Sequence, residues 1–356
     1  MGFLLFFFII LFVPLLTIRK RNNEDIDILN SFETTCLKGV LCLFVMFHNL
    51  GLDYYHNLGI NSGIFDIVAE HSGGIAVGLF FFLSAFGILR SYQKHGNKYL
   101  LRLLFVHIPK IYFVSVAINT LIYFTFFRGT LEIKDLVLRI LNLDLFNNFN
   151  RMNRHGWYIA SIIALYLLFI IIYYIFSKIK IKKNIQISSI VLAALVIGIK
   201  ILSMIVGKGG MYVREITLFS TGILYACYFE QINGLIKKYY WLIFSISLIS
   251  MIIGFFFYEG LAAQAAALFI ITCANKITWK NKITFVLGKI CLGVYLHLYF
   301  STLVLQSFIN NPYYWMLSNA GMILLLSFIT YGIVWGIEWI IRKILTPKSP
   351  CNQINT

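Results

Sequence analysis

The sequence predicts an all-α fold, a polytopic transmembrane helical bundle of about eleven spans. Three observations carry this. Hydrophobic residues make up 60% of the 356-residue chain, and the mean hydropathy is +0.82. Charged residues are only 12%, about half the ~25% of a soluble domain. The apolar residues also come in runs long enough to cross a hydrocarbon core of about 30 Å, with only short polar stretches between them. No sizeable soluble domain fits between such runs.

Eleven apolar segments follow one another: 2–18, 36–52, 73–89, 108–127, 157–176, 185–206, 216–229, 241–258, 261–275, 285–307 and 319–341. The first ends at Arg19-Lys20-Arg21. A signal peptide has its basic residues before the apolar run, so 2–18 reads as an uncleaved span. Position 6, where myristoylation favours Ser or Thr, holds Phe6. Later segments are bounded on one side by basic stretches: Arg90–Lys110, Lys178–Lys183, Lys237-Lys238, Lys276–Lys282 and Arg342-Lys343. Alternating the spans puts about 22 of the 30 Lys and Arg on that side and about seven on the other, with Lys200 inside a span. The rich side is cytoplasmic by the positive-inside rule. The N-terminus is then outside and the C-terminus cytoplasmic. The net charge of +16 thus needs no nucleic-acid partner.

Two loops on the other side are unusual. Arg128–Gly156 carries Arg128, Arg139, Arg151 and Arg154, with Asn147, Asn148, Asn150 and Asn153. It reads as a solvated loop balanced by Glu132, Asp135 and Asp144, or as a polar lid for a hydroxyl-rich acceptor. Asp53–Ser72 lacks Lys and Arg but holds Asp53, Asp66, Glu70, His56 and His71. Its histidines lack metal-type spacing and read as solvated. The six cysteines (Cys36, Cys42, Cys227, Cys273, Cys291 and Cys351) are scattered and read as small buried hydrophobes. No P-loop, G-x-S-x-G or H-E-x-x-H occurs, and no metal is expected.

Ionisable residues inside a span are costly and mark functional positions. Lys38 and His48 stand ten residues apart in 36–52, roughly 15 Å along a helix. They read as a path for a long, anionic, reactive ligand, or as a snorkelling lysine beside a packed histidine. Glu338, in the last span, is expected to pair with Arg342 at i+4.

Five stretches in order, ETTCLKGVLCLFVMFHNL (33–50), GIAVGLFFFLSAFGILRSY (74–92), YLLRLLFVHIPKIY (99–112), GWYIASIIALY (156–166) and LGKICLGVYLH (287–297), resemble the membrane acyltransferase-3 family. The resemblance spans roughly residues 30–340. It implies a ten-helix core at 30–345, with 1–29 as an extra span and cytoplasmic connector and 346–356 as a short tail. It implies an integral protein of a bacterial plasma membrane that moves acetyl from acetyl-CoA, or another acyl-CoA, to hydroxyls. The partners implied are a cell-surface or capsular polysaccharide or its lipid-linked precursor, and membrane lipids.

The family usually places its histidine about eleven residues after a basic residue. Here that spacing falls on Asn49, one residue past His48. His48 is preferred as the base because an amide cannot serve as one. His297 matches the histidine that ends the family's last conserved block. Asn49, Tyr158 and Ser84 are candidate oxyanion donors. Lys38, Arg102, His107 and Lys110 are the expected donor-phosphate site. A rival reading, a transporter or flippase for a lipid-linked sugar, predicts two pseudo-symmetric halves, and none is visible. The acyl chain, the acceptor, and direct transfer versus an acyl-enzyme relay stay open.

Overall fold

The computed structural model describes residues 18–21, 28–58, 64–128, 132–141, 156–179, 183–206, 215–306, 308 and 312–345. Side chains at 53–58, 64–66, 135, 312–313 and 340–345 are outside that description. The expected span 2–18 (apart from Ile18), the residues Asn147, Asn148, Asn150, Arg151, Asn153 and Arg154, the side chains of Asp53, His56 and Arg342, and the tail 346–356 therefore lie outside the described residues.

The chain is a helical bundle. In order come α1 (Ser31–Leu58), α2 (Ile64–His95) and α3 (Asn97–Arg102), which runs through a π-helical turn at Leu103–His107 into α4 (Ile108–Ile122). A second π turn, Tyr123–Phe127, ends that helix. Then follow α5 (Ile133–Ile140), α6 (Gly156–Lys178), α7 (Asn184–Val206), α8 (Thr217–Cys227), α9 (Phe229–Lys238), α10 (Tyr240–Phe257), α11 (Glu259–Ala274), α12 (Lys282–Gln306) and α13 (Pro312–Leu345). Eight helices among the described residues are long and apolar enough to cross a membrane, counting Asn97–Phe127 as one. Helices α8 and α11 are shorter apolar segments. All ten apolar segments after the first thus fall on helices.

The centre of the bundle is α2. It packs against α1, α8 and α11, and 78% of its apolar window is buried, against 11% for α10. Small residues explain that position. A Cβ at Gly78 would crowd the side chains of Ala263 and Leu218 at 3.3 Å, and one at Gly222 would come within 2.4 Å of the Phe82 carbonyl. The outer helices α7, α10 and α13 turn Ile, Leu, Phe and Trp side chains outward, the pattern of helices that meet lipid. Hydroxyls within the helices mostly bond back to their own backbone, as Ser161 does to Trp157 O and Thr272 to Leu268 O.

The closest helix pair is α1 with α12. A Cβ at Gly39 would lie 1.9 Å from the Thr284 carbonyl oxygen, and one at Gly288 would lie 1.9 Å from the Thr35 carbonyl oxygen. The two backbones touch because both residues lack a side chain. Both helices start at the same end of the bundle with asparagine caps. Asn30 Oδ1 accepts from the amides of Phe32 and Glu33, and Asn281 Oδ1 accepts from the amide of Ile283. Leu29 enters α1 in the left-handed region (φ 56°), and its amide donates to Glu33 Oε2 at 2.9 Å.

A small sheet closes that end. The strand β1 (Ile18–Lys20) pairs antiparallel with β2 (Ile277–Trp279), Arg19 opposite Thr278. Ile18, expected as the last span residue, is a strand residue. The connector after it is also tied down. Arg21 donates to both Glu33 oxygens at 2.9 Å and, through Nε, to Ala274 O at 2.8 Å. Neither side chain of this pair is more than 7% exposed.

Removing one partner of a buried pair strands the other charge. Arg21→Ala is expected to cost about 3–5 kcal/mol, read as a lower unfolding midpoint of the purified protein in detergent. An unchanged midpoint would mean that strand pairing alone holds this end. Gly288→Leu is expected to force α1 and α12 apart, and near-native thermal stability in that variant would refute the close crossing.

Candidate functional site

The α1–α12 crossing shapes a cleft. The residues beside the two glycines, Lys38 on α1 and Lys289 on α12, line a cavity of about 470 Å³, within the range of small-molecule sites. Helix α4 adds Lys110, and α13 adds Thr330 and Glu338. Cys291 lies in the wall one turn from Gly288.

Charge is unevenly compensated there. Lys110 Nζ donates to Glu338 Oε1 at 2.6 Å. That pair joins α4 to α13, whereas the expected partner of Glu338 was Arg342, one turn along its own helix. The Arg342 side chain is outside the described residues. Lys38 is half-buried and lines the cavity, with no ion pair among the described residues. Lys289 rests its ammonium over the Phe285 ring, 5.2 Å from the centroid, and Phe285 stacks on Phe32 of α1 at 4.5 Å. A cleft with three ammoniums and one carboxylate is electropositive, and an anion would be drawn to it.

The expected phosphate-binding residues divide. Lys38 and Lys110 line the cleft, while Arg102 and His107 do not. Arg102 is exposed, and His107 packs near the Tyr99 ring at the end of the π turn before Pro109. Lys289 is a cleft residue that the sequence reading does not single out. Its signal was a lysine inside the apolar run LGKICLGVY, next to the glycine that allows the crossing.

His297 reaches the cleft indirectly. Its Nε2 lies 2.8 Å from Thr330 Oγ1, and Thr330 lines the cavity. The ring is 4% exposed, and its Nδ1 is buried without a hydrogen bond among the described residues. Gly293 allows this approach, because a Cβ there would come within 2.9 Å of Ser327 on α13.

His48 is not among the cleft residues. It lies farther along α1, against α2. Its Nδ1 is 2.6 Å from the Ala69 carbonyl. A carbonyl only accepts, so Nδ1 carries the proton and Nε2 of the neutral ring keeps its lone pair. The ring lies on Gly73, where a Cβ would sit 2.3 Å from it. Asn49 donates to Val45 O of its own helix at 2.8 Å. Tyr158 packs against Phe81 and Tyr295, each at 5.0 Å, and Ser84 lies beside the hydroxyls of Tyr158 and Tyr166.

His71, expected to be solvated, belongs instead to the bundle. Its Nδ1 lies 3.9 Å from Glu259 Oε2, and its ring meets Phe255 edge-on at 5.4 Å. Glu259 is 8% exposed, and a Cβ at Gly74 would collide with its Oε1. The signal was a carboxylate at the junction of two apolar segments. The 128–156 loop is also partly built in. Helix α5 docks on α4, where Asn119 Nδ2 donates to the carbonyls of Arg139 and Ile140 at its C-terminal end. Among the described residues, no group of three His, Cys, Asp or Glu side chains is placed to hold a metal ion.

The geometry predicts that Glu338 competes with any anion for Lys110. Glu338→Gln is expected to tighten binding of inorganic pyrophosphate, with an affinity that falls as salt rises. Weaker binding by the variant would mean that the carboxylate supports the site.

No curated protein and no solved structure matches the chain. The family model described as an acyltransferase domain matches residues 32–339. That stretch runs from the start of α1 into α13 and contains the whole cleft, both histidine positions and every long apolar helix among the described residues. This chain is a multi-pass membrane protein that belongs to the acyltransferase-3 family.

Proposed function

We propose that the protein is an integral membrane O-acyltransferase that moves acetyl from acetyl-CoA to a hydroxyl of a cell-surface or capsular polysaccharide or its lipid-linked precursor. Family membership supports acyl transfer. The observation that carries the donor is the cleft, where Lys38 and Lys289 have no acidic partner among the described residues. A polyphosphate donor is suited to such a site, since its oxygens take charge-assisted hydrogen bonds from ammoniums.

The charge asymmetry favours entry of the donor from the cytoplasm, because α1 and α12 both begin at the lysine-rich end. The thioester would then lie deeper than its phosphates, near Cys291 and Thr330. The apolar walls would exclude water and slow wasteful hydrolysis. His297 stands behind Thr330 as the base nearest the donor. His48 lies on the acceptor side of this arrangement, and an imidazole there is suited to orient or deprotonate an incoming hydroxyl.

The test is transfer from acetyl-labelled acetyl-CoA to the surface glycan fraction, in membranes bearing matched amounts of native or variant chain. Lys38→Met and Lys289→Met are each expected to raise KM for acetyl-CoA about tenfold or more, the loss of one hydrogen bond to a charged group. His48→Ala is expected to lower kcat by about 10²–10⁴, the usual share of a general base. Normal transfer by His48→Ala would remove that residue from the chemistry. Absence of transfer by the native chain would defeat the acetyl-CoA-to-glycan reading.

A further inference from the structure

We infer that Thr330 is the acyl carrier of the reaction, an oxygen nucleophile that His297 activates at the wall of the lysine cleft. The inference rests on the acyltransferase reading of that cleft.

The hydrogen-bond pattern singles out Thr330. Hydroxyls on these helices commonly donate to the carbonyl four residues back, as Thr120, Thr125, Ser188 and Thr272 do. Ser327, the other aliphatic hydroxyl of α13 in the cleft wall, does the same to Ile323 O at 2.5 Å and is fully buried. Thr330 departs from this habit. Its one hydrogen bond among the described residues is to His297 Nε2 at 2.8 Å. In the tautomer that leaves the lone pair on Nε2, the hydroxyl donates to it. A nucleophile and a base within hydrogen-bond reach are the pairing that covalent acyl transfer needs.

Position supports the same assignment. Thr330 is half-buried and faces the cavity, whereas His297 sits behind it and is withdrawn from the cavity wall. Side chains tilt toward the N-terminus of their helix. His297 on α12 therefore leans back toward the lysine-rich end, where the thioester would arrive. Cys291 shares the cavity but has no imidazole partner among the described residues.

The chemistry balances without a further reactant. Thr330 Oγ attacks the thioester carbon as its proton passes to His297 Nε2. The carbon–sulfur bond breaks, the electron pair leaves with the sulfur, and the imidazolium returns the proton to give free CoA thiol. An acyl ester remains on Thr330. An acceptor hydroxyl then attacks that ester, and its proton moves through Nε2 to Thr330 Oγ as the carbon–oxygen bond to Thr330 breaks. The first step exchanges a thioester for a more stable oxygen ester, and the second exchanges one ester for another. A carrier also separates the two half-reactions, so donor and acceptor need not occupy the bundle together.

The experiment uses the purified full-length protein in nanodiscs, with acetyl-labelled acetyl-CoA and no acceptor. Native protein and Thr330→Ser are expected to retain label after denaturation. The label should resist neutral hydroxylamine, be released by alkaline hydroxylamine, and map to the peptide containing residue 330. Thr330→Val should carry none while binding CoA with native affinity, which a merely structural role would not predict. His297→Ala should label about 10²–10⁴-fold more slowly. Label released by neutral hydroxylamine would place the acyl group on a thiol, a phenol or an imidazole and overturn the assignment. So would native turnover by Thr330→Val, or glycan transfer by a native chain that never holds label. Those three results leave the acyltransferase reading standing. A native chain that neither binds CoA nor transfers acetyl would overturn both.

Discussion

The contact between Gly39 and Gly288 is the constraint on which the rest of the site depends. Two helix backbones meet there with no side chain between them. Neighbouring residues on both helices are thereby drawn to one cleft, among them Lys38 and Lys289. Like charges repel most strongly in a low dielectric, so apolar packing alone would keep such residues apart. The glycine crossing fixes them in place, and the cleft lets water or an anion reach them. Among the described residues, only one of the three ammoniums is answered by a carboxylate, through Lys110 and Glu338. The resting cleft therefore keeps two positive charges uncompensated by its own walls.

Glycine serves the same purpose at the far end of α1. Gly73 makes room for the His48 ring and Gly74 for the Glu259 carboxylate. In both regions a polar side chain enters the bundle where a helix has no side chain of its own. This is an economical way to bring ionisable groups into an apolar interior, because the surrounding core can stay dense. It also divides the polar groups into two regions. One holds the cations and the Thr330–His297 pair. The other holds His48, His71 and Glu259. An enzyme that joins a donor from one face of the membrane to an acceptor from the other would need such a division.

Much of this was legible in the sequence, for a physical reason. A membrane span must satisfy its own backbone, so hydropathy alone marks it. The ten apolar segments after residue 18 were placed on helices by that rule. Lys38, His48 and His297 also stood out, because ionisable residues in apolar runs are rare; Lys38 lines the cleft, His297 sits behind Thr330, and His48 is not a cleft residue. The five ordered stretches identified the acyltransferase-3 family, and the family match at residues 32–339 agrees.

Partnership between helices was not legible. Nothing in the chain order says that Glu338 reaches Lys110 across the bundle. Nor does it say that His71 faces Glu259, that Arg21 anchors Glu33 and Ala274 O, or that Lys289 joins the cleft while Arg102 stays outside it. Sequence determined which segments are helical and which residues are chemically expensive, because local hydropathy and charge act residue by residue. Tertiary structure decided which of those residues meet, because helix rotation and crossing are set by where small side chains let two backbones approach.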